Sequence, residues 1–290
     1  MRPAPFRSLL RASRFSRFPT RQIRAAADRV SRYSERFDRW LAALESRHLA
    51  NLTRSELTRA LRALSSCYVE RRGRLARGGA LDSAGKRAAF ALFYAPLHFL
   101  TTRAIVEALG LGRVTVPQIV DAGCGTGAAG AAWALAVADR PSVRGLDLNP
   151  WAVQEANWTY EQLAINGRAV QADVASPNLR VVASSALLLG YTVNELPETK
   201  RAAVLATVDA AIGRRAPVLI IEPIARRVAP WWTGWARTLT AAGAREEEWR
   251  FPAALPTLLA DLARGAGLRP HELTARTISF GPQHTTRSNL

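Results

Sequence analysis

The run of residues best suited to chemistry is D-A-G-C-G-T-G, from Asp121 to Gly127. It comes directly after a short apolar stretch that reads as a buried strand. Its three glycines, Gly123, Gly125 and Gly127, let the backbone turn sharply and approach a ligand closely. A turn of this kind at the carboxyl end of a strand predicts a site for a nucleotide-type ligand.

Two further acids follow at the ends of the next strands. Asp147, followed by Leu148, lies about 20 residues beyond the glycines, where a carboxylate suits a ribose diol. Its alternative role is the N-cap of the helix that starts at Pro150. Asp173, followed by Val174, ends the third strand and is expected to contact an adenine amino group; otherwise it is a loop acid or a cap.

The glycine turn fits two ligands. Gly125, Gly127 and Gly130 match the dinucleotide pattern G-x-G-x-x-G, which is weak alone. Asp121, however, would repel a pyrophosphate, whereas a carboxylate attracts the ammonium and sulfonium of S-adenosyl-L-methionine. The pattern therefore favours S-adenosyl-L-methionine as the cofactor.

The elements around these residues alternate between strand and helix. Apolar strands are predicted at 117–121, 142–147, 168–173, 181–191 and 216–222, and helices at 127–139, 150–164, 198–212 and 229–242. The C-terminal part adds a strand near 246–251, a helix near 254–265 and a strand near 274–280. Such alternation predicts a doubly wound, mostly parallel α/β sheet of seven strands, with a Rossmann-like arrangement.

The first 80 residues differ from the rest in charge and pattern. They hold 19 arginines against 6 acidic residues, within a chain of net charge +17. Helices are predicted over 22–49, 53–76 and 84–109, with a domain boundary at Gly78-Gly79, so that residues 1–80 form a basic helical region and 81–290 the α/β domain. Residues 1–19 read either as a basic arm or as a targeting segment. Arg29, Arg32, Arg36 and Arg39 share one helix face, which is either solvated or in contact with RNA.

Residues 117–222 resemble the class I S-adenosylmethionine-dependent methyltransferases. A narrower stretch, about 85–225, is similar to the methyltransferase-like family associated with small ribosomal subunit assembly, in mitochondria and bacteria. That resemblance rests on Tyr94-Ala95-Pro96, on G-Y-T-V-N-E-L-P from Gly190 to Pro197 and on I-I-E-P from Ile220 to Pro223. It implies small-subunit ribosomal RNA, or the subunit itself, as partner.

The fold places its substrate after the fourth strand. Gly190 is therefore expected near the cofactor, and Tyr191, Asn194 and Glu195 at the catalytic centre. An equally open alternative is that Asn194 and Glu195 cap the following helix. Glu222 ends the fifth strand and is a candidate to line the pocket.

Three tryptophans and the two cysteines have competing interpretations. Trp231, Trp232 and Trp235, beside Arg226, Arg227 and Arg237, either pack or stack on bases. Cys124 fits a small filler of the turn better than a nucleophile. No metal is predicted, because the cysteine set of the mitochondrial members is missing (only Cys67 and Cys124 are present) and the four histidines are scattered.

Three functions follow from these features: an RNA methyltransferase acting on ribosomal RNA, an assembly factor that binds S-adenosyl-L-methionine without methylating, and a small-molecule methyltransferase. We expect a monomer in the bacterial cytoplasm, with the mitochondrial matrix as the alternative. The longest apolar run, near Ala88–Leu100, is too short for a membrane span.

Overall fold

The computed structural model describes residues 20–70, 81–176, 184–225, 229–268 and 271–281. The chain divides into two units between Asp38 and Arg39. Of the first unit the structure describes residues 20–38, which are helical. The account below concerns the second unit. The predicted arm at 1–19 and the boundary at Gly78-Gly79 lie outside the described residues.

A seven-stranded sheet forms the centre of the second unit, in the order β3-β2-β1-β4-β5-β7-β6. The strands are β1 (Gln118–Ala122), β2 (Ser142–Asp147), β3 (Gly167–Gln171), β4 (Ser185–Gly190), β5 (Val218–Glu222), β6 (Arg245–Pro252) and β7 (Glu272–Phe280). The first five are parallel, and β7 is antiparallel to both β5 and β6. The predicted doubly wound, mostly parallel α/β sheet is therefore confirmed.

Helices precede the sheet and connect its strands. They are α1 (Thr20–His48), α2 (Arg54–Glu70), α3 (Ala84–Ala89), α4 (Ala95–Ala108), α5 (Ala128–Ala136), α6 (Pro150–Gln162), α7 (Glu198–Gly213), α8 (Trp232–Ala241) and α9 (Thr257–Ala266). The central strands β4 and β5 are almost entirely buried because both faces of the sheet are covered. Their unbroken apolar sequences follow from that burial.

A π-helical turn, Phe90–Tyr94, joins α3 to α4. Such turns insert an extra residue and are frequent at functional sites. The helical stretch Ala84–Ala108 is long and apolar enough to cross a membrane, but 67% of its apolar 18-residue window is buried in the protein, as in a core helix. Much of this contact is with α5.

The order of the sheet determines where a ligand can bind. The chain turns outward in opposite directions from β1 and β4, which are neighbours. In open α/β sheets the crevice at the carboxyl ends of two such strands is the usual ligand site. The glycine turn after β1 and the segment after β4 both lie at this edge.

Candidate cofactor crevice and acceptor pocket

The turn after β1 depends on three glycines in the left-handed region. The φ angles of Gly123, Gly125 and Gly127 are 79°, 52° and 79°. The amides of Gly123 and Cys124 both donate to the carbonyl oxygen of Leu146, at 2.7 and 2.9 Å. The amide of Gly127 closes the turn on the carbonyl of Cys124 at 2.8 Å. The protein itself therefore uses several of the donors that a phosphate would need.

The three glycines have different surroundings. A Cβ on Gly123 would overlap Thr192, and one on Gly127 would lie 2.7 Å from the ring of Tyr160. At Gly125 the nearest atom would be 3.8 Å away, on the ring of Phe90. Gly123 and Gly127 thus permit packing within the protein, whereas a Cβ on Gly125 would only reach van der Waals contact with Phe90.

Asp121 lies beneath the turn and is wholly buried. Its Oδ2 accepts the amide of Gly130 at 3.0 Å, and its Oδ1 has no hydrogen bond among the described residues. Burial, with a contribution from the Asp147 carboxylate, raises the pKa of Asp121 to about 7. A nearby cation would favour its ionised form.

Asp147 joins the second strand to the turn. Its Oδ2 accepts the amide of Gly125 at 2.9 Å and its Oδ1 accepts that of Asn149 at 2.8 Å. Burial raises its pKa, while these hydrogen bonds oppose the shift. The N-cap of α6 is Asn149, so the capping alternative for Asp147 is wrong. Each carboxylate oxygen keeps a second lone pair for a hydroxyl group.

Leu148, beside Asp147, is the exposed large hydrophobic side chain of the described residues, at 52%. Its exposed side chain lies next to the Asp147 carboxylate in the sequence. A flat ring next to the Asp147 carboxylate would cover it.

At the third strand the structure limits what the predicted residues can contact. Asp173 forms an ion pair with Lys200, and its Oδ1 accepts the amide of Ala175 at 2.9 Å. The hydrogen bond from Lys200 lowers the pKa of Asp173. The side chain of Val174 is buried in the core, which leaves its backbone for a ligand.

Tyr191 follows Gly190 and belongs to the segment after β4. Its φ is 60°, which is strained for a residue with a side chain. Its ring stacks on His98 with centroids 3.9 Å apart and 14° between the planes. Burial lowers the pKa of His98 to about 3 and raises that of Tyr191, so both rings are neutral near pH 7. Phe90 meets His98 edge-on at 5.9 Å.

Asn194 is fixed by two neighbours rather than by the helix that follows it. Its backbone amide donates to Oε1 of Glu222 at 3.1 Å, and its Oδ1 accepts the indole N–H of Trp231 at 2.9 Å. No side chain caps α7, so the capping alternative for Asn194 and Glu195 is wrong.

Two carboxyl groups close this part of the crevice. Glu222 is wholly buried, which raises its pKa to about 8, and the Glu195 carboxylate contributes to the rise. Glu195 reaches solvent, but the surrounding protein raises its pKa to about 7, and Asp147 adds to the rise. Asp147, at the end of β2, is thus close enough to Glu195, in the segment after β4, to affect its pKa.

The tryptophans divide between the two interpretations. Trp232 and Trp235 are buried in the core, at 2% and 5% exposure, so packing is confirmed for both. Trp231 is half-buried and packs on both of them. Arg226 and Arg227 lie outside the described residues. Cys124 is buried, and burial raises the pKa of its thiol, as expected of a filler.

Sequence reasoning missed Phe90, His98 and Thr192. Thr192 ties the glycine turn to the segment after β4, since its hydroxyl lies 3.0 Å from the carbonyl oxygen of Ala122 and 3.2 Å from that of Gly123. Thr192 lies within G-Y-T-V-N-E-L-P, but the motif does not show what it contacts, and no motif marks Phe90 or His98; each one meets its partner only through the fold.

No family model and no curated protein matches the chain. Among solved structures it is similar to an S-adenosylmethionine-dependent methyltransferase from Aquifex aeolicus, with 15% identity, a TM-score of 0.44 and coverage of 64% of this chain and 92% of that chain. It is also similar to the mitomycin 7-O-methyltransferase MmcR (13%, 0.47, 84% and 72%) and to precorrin-6y C5,15-methyltransferase from Geobacter metallireducens (12%, 0.42, 62% and 87%). These are likenesses of fold.

Proposed function

We propose that the protein is an S-adenosyl-L-methionine-dependent methyltransferase that acts on RNA, with small-subunit ribosomal RNA as the substrate class. The observation that supports S-adenosyl-L-methionine as the cofactor is the geometry of the glycine turn. Its amides at Gly123, Cys124, Gly125 and Gly127 are all donated within the protein, so they are not free to bind a pyrophosphate.

The charges of the crevice also favour a positively charged cofactor. Asp121, Asp147, Glu195 and Glu222 all have raised pKa values, and Asp121 and Glu222 each keep a buried oxygen without a hydrogen bond among the described residues. A cation stabilises such carboxylates, whereas a second anion would add repulsion. The residues present therefore fit a positively charged cofactor and oppose a dinucleotide.

The residues have distinct roles in holding this cofactor. Asp147 offers lone pairs to the ribose hydroxyls, Leu148 an apolar surface to the adenine, and Gly125 the space that a side chain would fill. When bound, the cofactor supplies an electrophilic methyl group on a positively charged sulfur. The protein's contribution is to orient the acceptor and exclude water, which can lower the barrier by several kcal/mol.

RNA as the substrate class is supported by charge and by the family resemblance. Within the described part of the basic region, Arg54, Arg59 and Arg62 are exposed on α2 and line one shallow groove. Clustered arginines bind polyanions by releasing counterions. The resemblance over residues 85–225 supports the small ribosomal subunit as the source of the RNA.

Calorimetry with S-adenosyl-L-methionine and, separately, with NAD tests the cofactor. We expect micromolar binding of S-adenosyl-L-methionine alone; binding of NAD alone would contradict the proposal. Transfer of a tritiated methyl group to transcribed small-subunit ribosomal RNA then tests the reaction. Cofactor and RNA binding without transfer would favour an assembly factor over an enzyme, and transfer to small molecules only would exclude RNA as substrate.

A further inference from the structure

A chain of hydrogen bonds connects three elements at the acceptor side of the crevice. Glu222, at the end of β5, accepts the backbone amide of Asn194 at 3.1 Å. Asn194, in the segment after β4, accepts the indole N–H of Trp231 at 2.9 Å on its Oδ1. Trp231 is the residue before α8 and packs on the buried rings of Trp232 and Trp235.

The chemistry of the indole determines which way the Asn194 amide faces. An indole N–H can only donate, so the atom that meets it must be the amide oxygen. The backbone of Asn194 is held at the same time by Glu222, and its neighbour Val193 also donates its amide to that carboxyl group. Rotating the amide would therefore break the bond to Trp231 and present one donor to another.

This arrangement leaves the amino group, Nδ2, as the side-chain atom of Asn194 without a hydrogen bond in the part of the chain that the structure describes. Asn194 is only half-buried, so a ligand can reach it. The group offered to a ligand is thus a donor. A site that presents a donor selects partners with an acceptor atom, because an N–H or C–H in that place leaves the donor unpaired.

We propose that Trp231 is a positioning residue that orients Asn194 in the acceptor pocket, an inference that rests on the proposed function. By fixing the amide of Asn194 it presents Nδ2 to the substrate, which selects a flat heterocycle that carries an unprotonated ring nitrogen or a carbonyl oxygen at that position. The half-buried indole ring beside Asn194 adds a surface on which such a ring can stack.

The neutral wall of His98 and Tyr191 is consistent with such a substrate. The rings stack at 3.9 Å, and neither carries a charge near pH 7. A neutral heterocycle therefore meets no fixed charge on that side of the segment after β4.

Two ring compounds of the same shape test this assignment. The probes are 4-aminopyrimidine, which has ring nitrogens as acceptors, and aniline, which has none. Their affinities are measured by ligand-observed NMR at pH 8, with the full-length protein saturated with S-adenosylhomocysteine. For the wild type we expect 4-aminopyrimidine to bind at least 10-fold more tightly than aniline.

Two variants remove the donor in different ways. Trp231→Phe keeps an aromatic ring but frees the amide to rotate, and Asn194→Asp keeps the bond to Trp231 but has no amino group. In both we expect the preference to fall below threefold, while the affinity for S-adenosylhomocysteine stays within twofold. The matched control is Trp249→Phe. It loses an indole hydrogen bond from Trp249 on β6 to Thr277 on β7 and should keep the preference.

The possible results separate this proposal from the proposed function. An unchanged preference in Trp231→Phe, or no preference in the wild type, would overturn it even if S-adenosylhomocysteine binds. Failure of S-adenosylhomocysteine to bind would count against the proposed function instead. The same comparison of the two rings on the free protein would then decide whether Asn194 presents a donor.

Discussion

At the scale of single residues, the glycine turn shows how similar positions take different roles. Gly123, Gly125 and Gly127 all need a left-handed backbone, but only at Gly125 would an added Cβ avoid a clash with the protein. Asp147 holds the amide of Gly125 and lies at the tip of the neighbouring strand. The sequence shows three glycines and an acid, and the structure shows which of them can meet a ligand.

Replacing two of these glycines by alanine should separate folding from binding. Gly123→Ala brings a Cβ into Thr192, so we expect a loss of roughly 2–4 kcal/mol in the free energy of unfolding. Gly125→Ala meets no protein atom closely, so it should cost only about 1 kcal/mol but weaken cofactor binding more than 10-fold. Urea unfolding and calorimetry measure the two effects. Equal losses of stability in both variants would contradict this distinction.

Replacing Asp147 by asparagine tests the ribose assignment. One carboxylate oxygen becomes a donor, which faces either the amide of Gly125 or that of Asn149. We expect the affinity for S-adenosyl-L-methionine to fall at least 10-fold, about 1.4 kcal/mol, as measured by calorimetry. Asp261→Asn, which changes a partly exposed acid on α9, is the control. Unchanged affinity in Asp147→Asn would refute the assignment.

At the scale of elements, the ends of β1, β2 and β5 and the segment after β4 place several carboxyl groups around one crevice. Asp121, Glu195 and Glu222 belong to three different segments, and their pKa values are raised to about 7, 7 and 8. Burial is the main cause for Asp121 and Glu222, which are wholly buried, whereas Glu195 is exposed, so the first two are expected to govern the pH dependence. The free protein therefore carries carboxyl groups that resist ionisation.

The stability of the free protein should fall as pH rises from about 5 to about 8. The folded state binds more protons than the unfolded state in this window, because its carboxyl pKa values are higher, so stability present at low pH is lost as these groups ionise. Thermal unfolding at a series of pH values measures this. Glu222→Gln, which cannot ionise, should make the curve flatter.

Cofactor binding should act in the opposite direction. A cation favours the ionised carboxylates, so binding should release protons near pH 7 and strengthen as pH rises. Calorimetry in buffers of different ionisation enthalpy measures the number of protons released. Uptake of protons on binding would contradict the charge that we propose for the ligand.

The contact between α1 and α6 is another feature at the scale of elements. Glu155 is buried in α6 and pairs with His48 at 2.8 Å and with Arg47 at 3.2 Å, both near the end of α1. We expect Glu155→Ala to lower the free energy of unfolding by about 1–3 kcal/mol, since the partly buried His48 and the more exposed Arg47 both lose their partner. Glu161→Ala, at an exposed position of the same helix, should change it by less than about 0.5 kcal/mol. Urea unfolding compares the two variants.

At the scale of the whole molecule, positive charge is concentrated in the first part of the sequence. The first 80 residues carry 19 of the 40 basic residues of the chain. The crevice, in contrast, is lined by carboxyl groups. Under the proposed function, the arginine-rich part binds RNA and the acidic crevice binds the cationic cofactor.

Neutralising part of this charge should weaken RNA binding without affecting the cofactor. With Arg29, Arg32 and Arg36 all changed to glutamine, we expect the slope of log affinity against log salt concentration to become shallower by up to about 3. A triple change of the exposed Arg144, Arg168 and Arg214 removes the same charge elsewhere and is the control. Filter binding to transcribed small-subunit ribosomal RNA measures both. Equal effects of the two triple variants would mean that total charge, rather than this region, drives binding.

The sequence alone determined the fold class and predicted where the candidate site lies. Apolar strands with helices between them can only pack as a sheet covered on both faces, and D-A-G-C-G-T-G marks the turn where such a sheet binds ligands. The strands from β1 to β7 follow their predicted positions closely for this reason. Local pattern was sufficient because strand burial and glycine turns are both local properties.

Only the tertiary structure decided how the side chains of the site are used. His98 and Tyr191, or Trp231 and Asn194, are far apart in the chain, and no periodicity relates such pairs. The capping roles considered for Asp147, Asn194 and Glu195 were wrong. Asn149 caps α6, and no side chain caps α7. Burial of a carboxyl group and the orientation of an amide depend on every neighbour in space, and those neighbours come from separate elements that only the folded chain brings together.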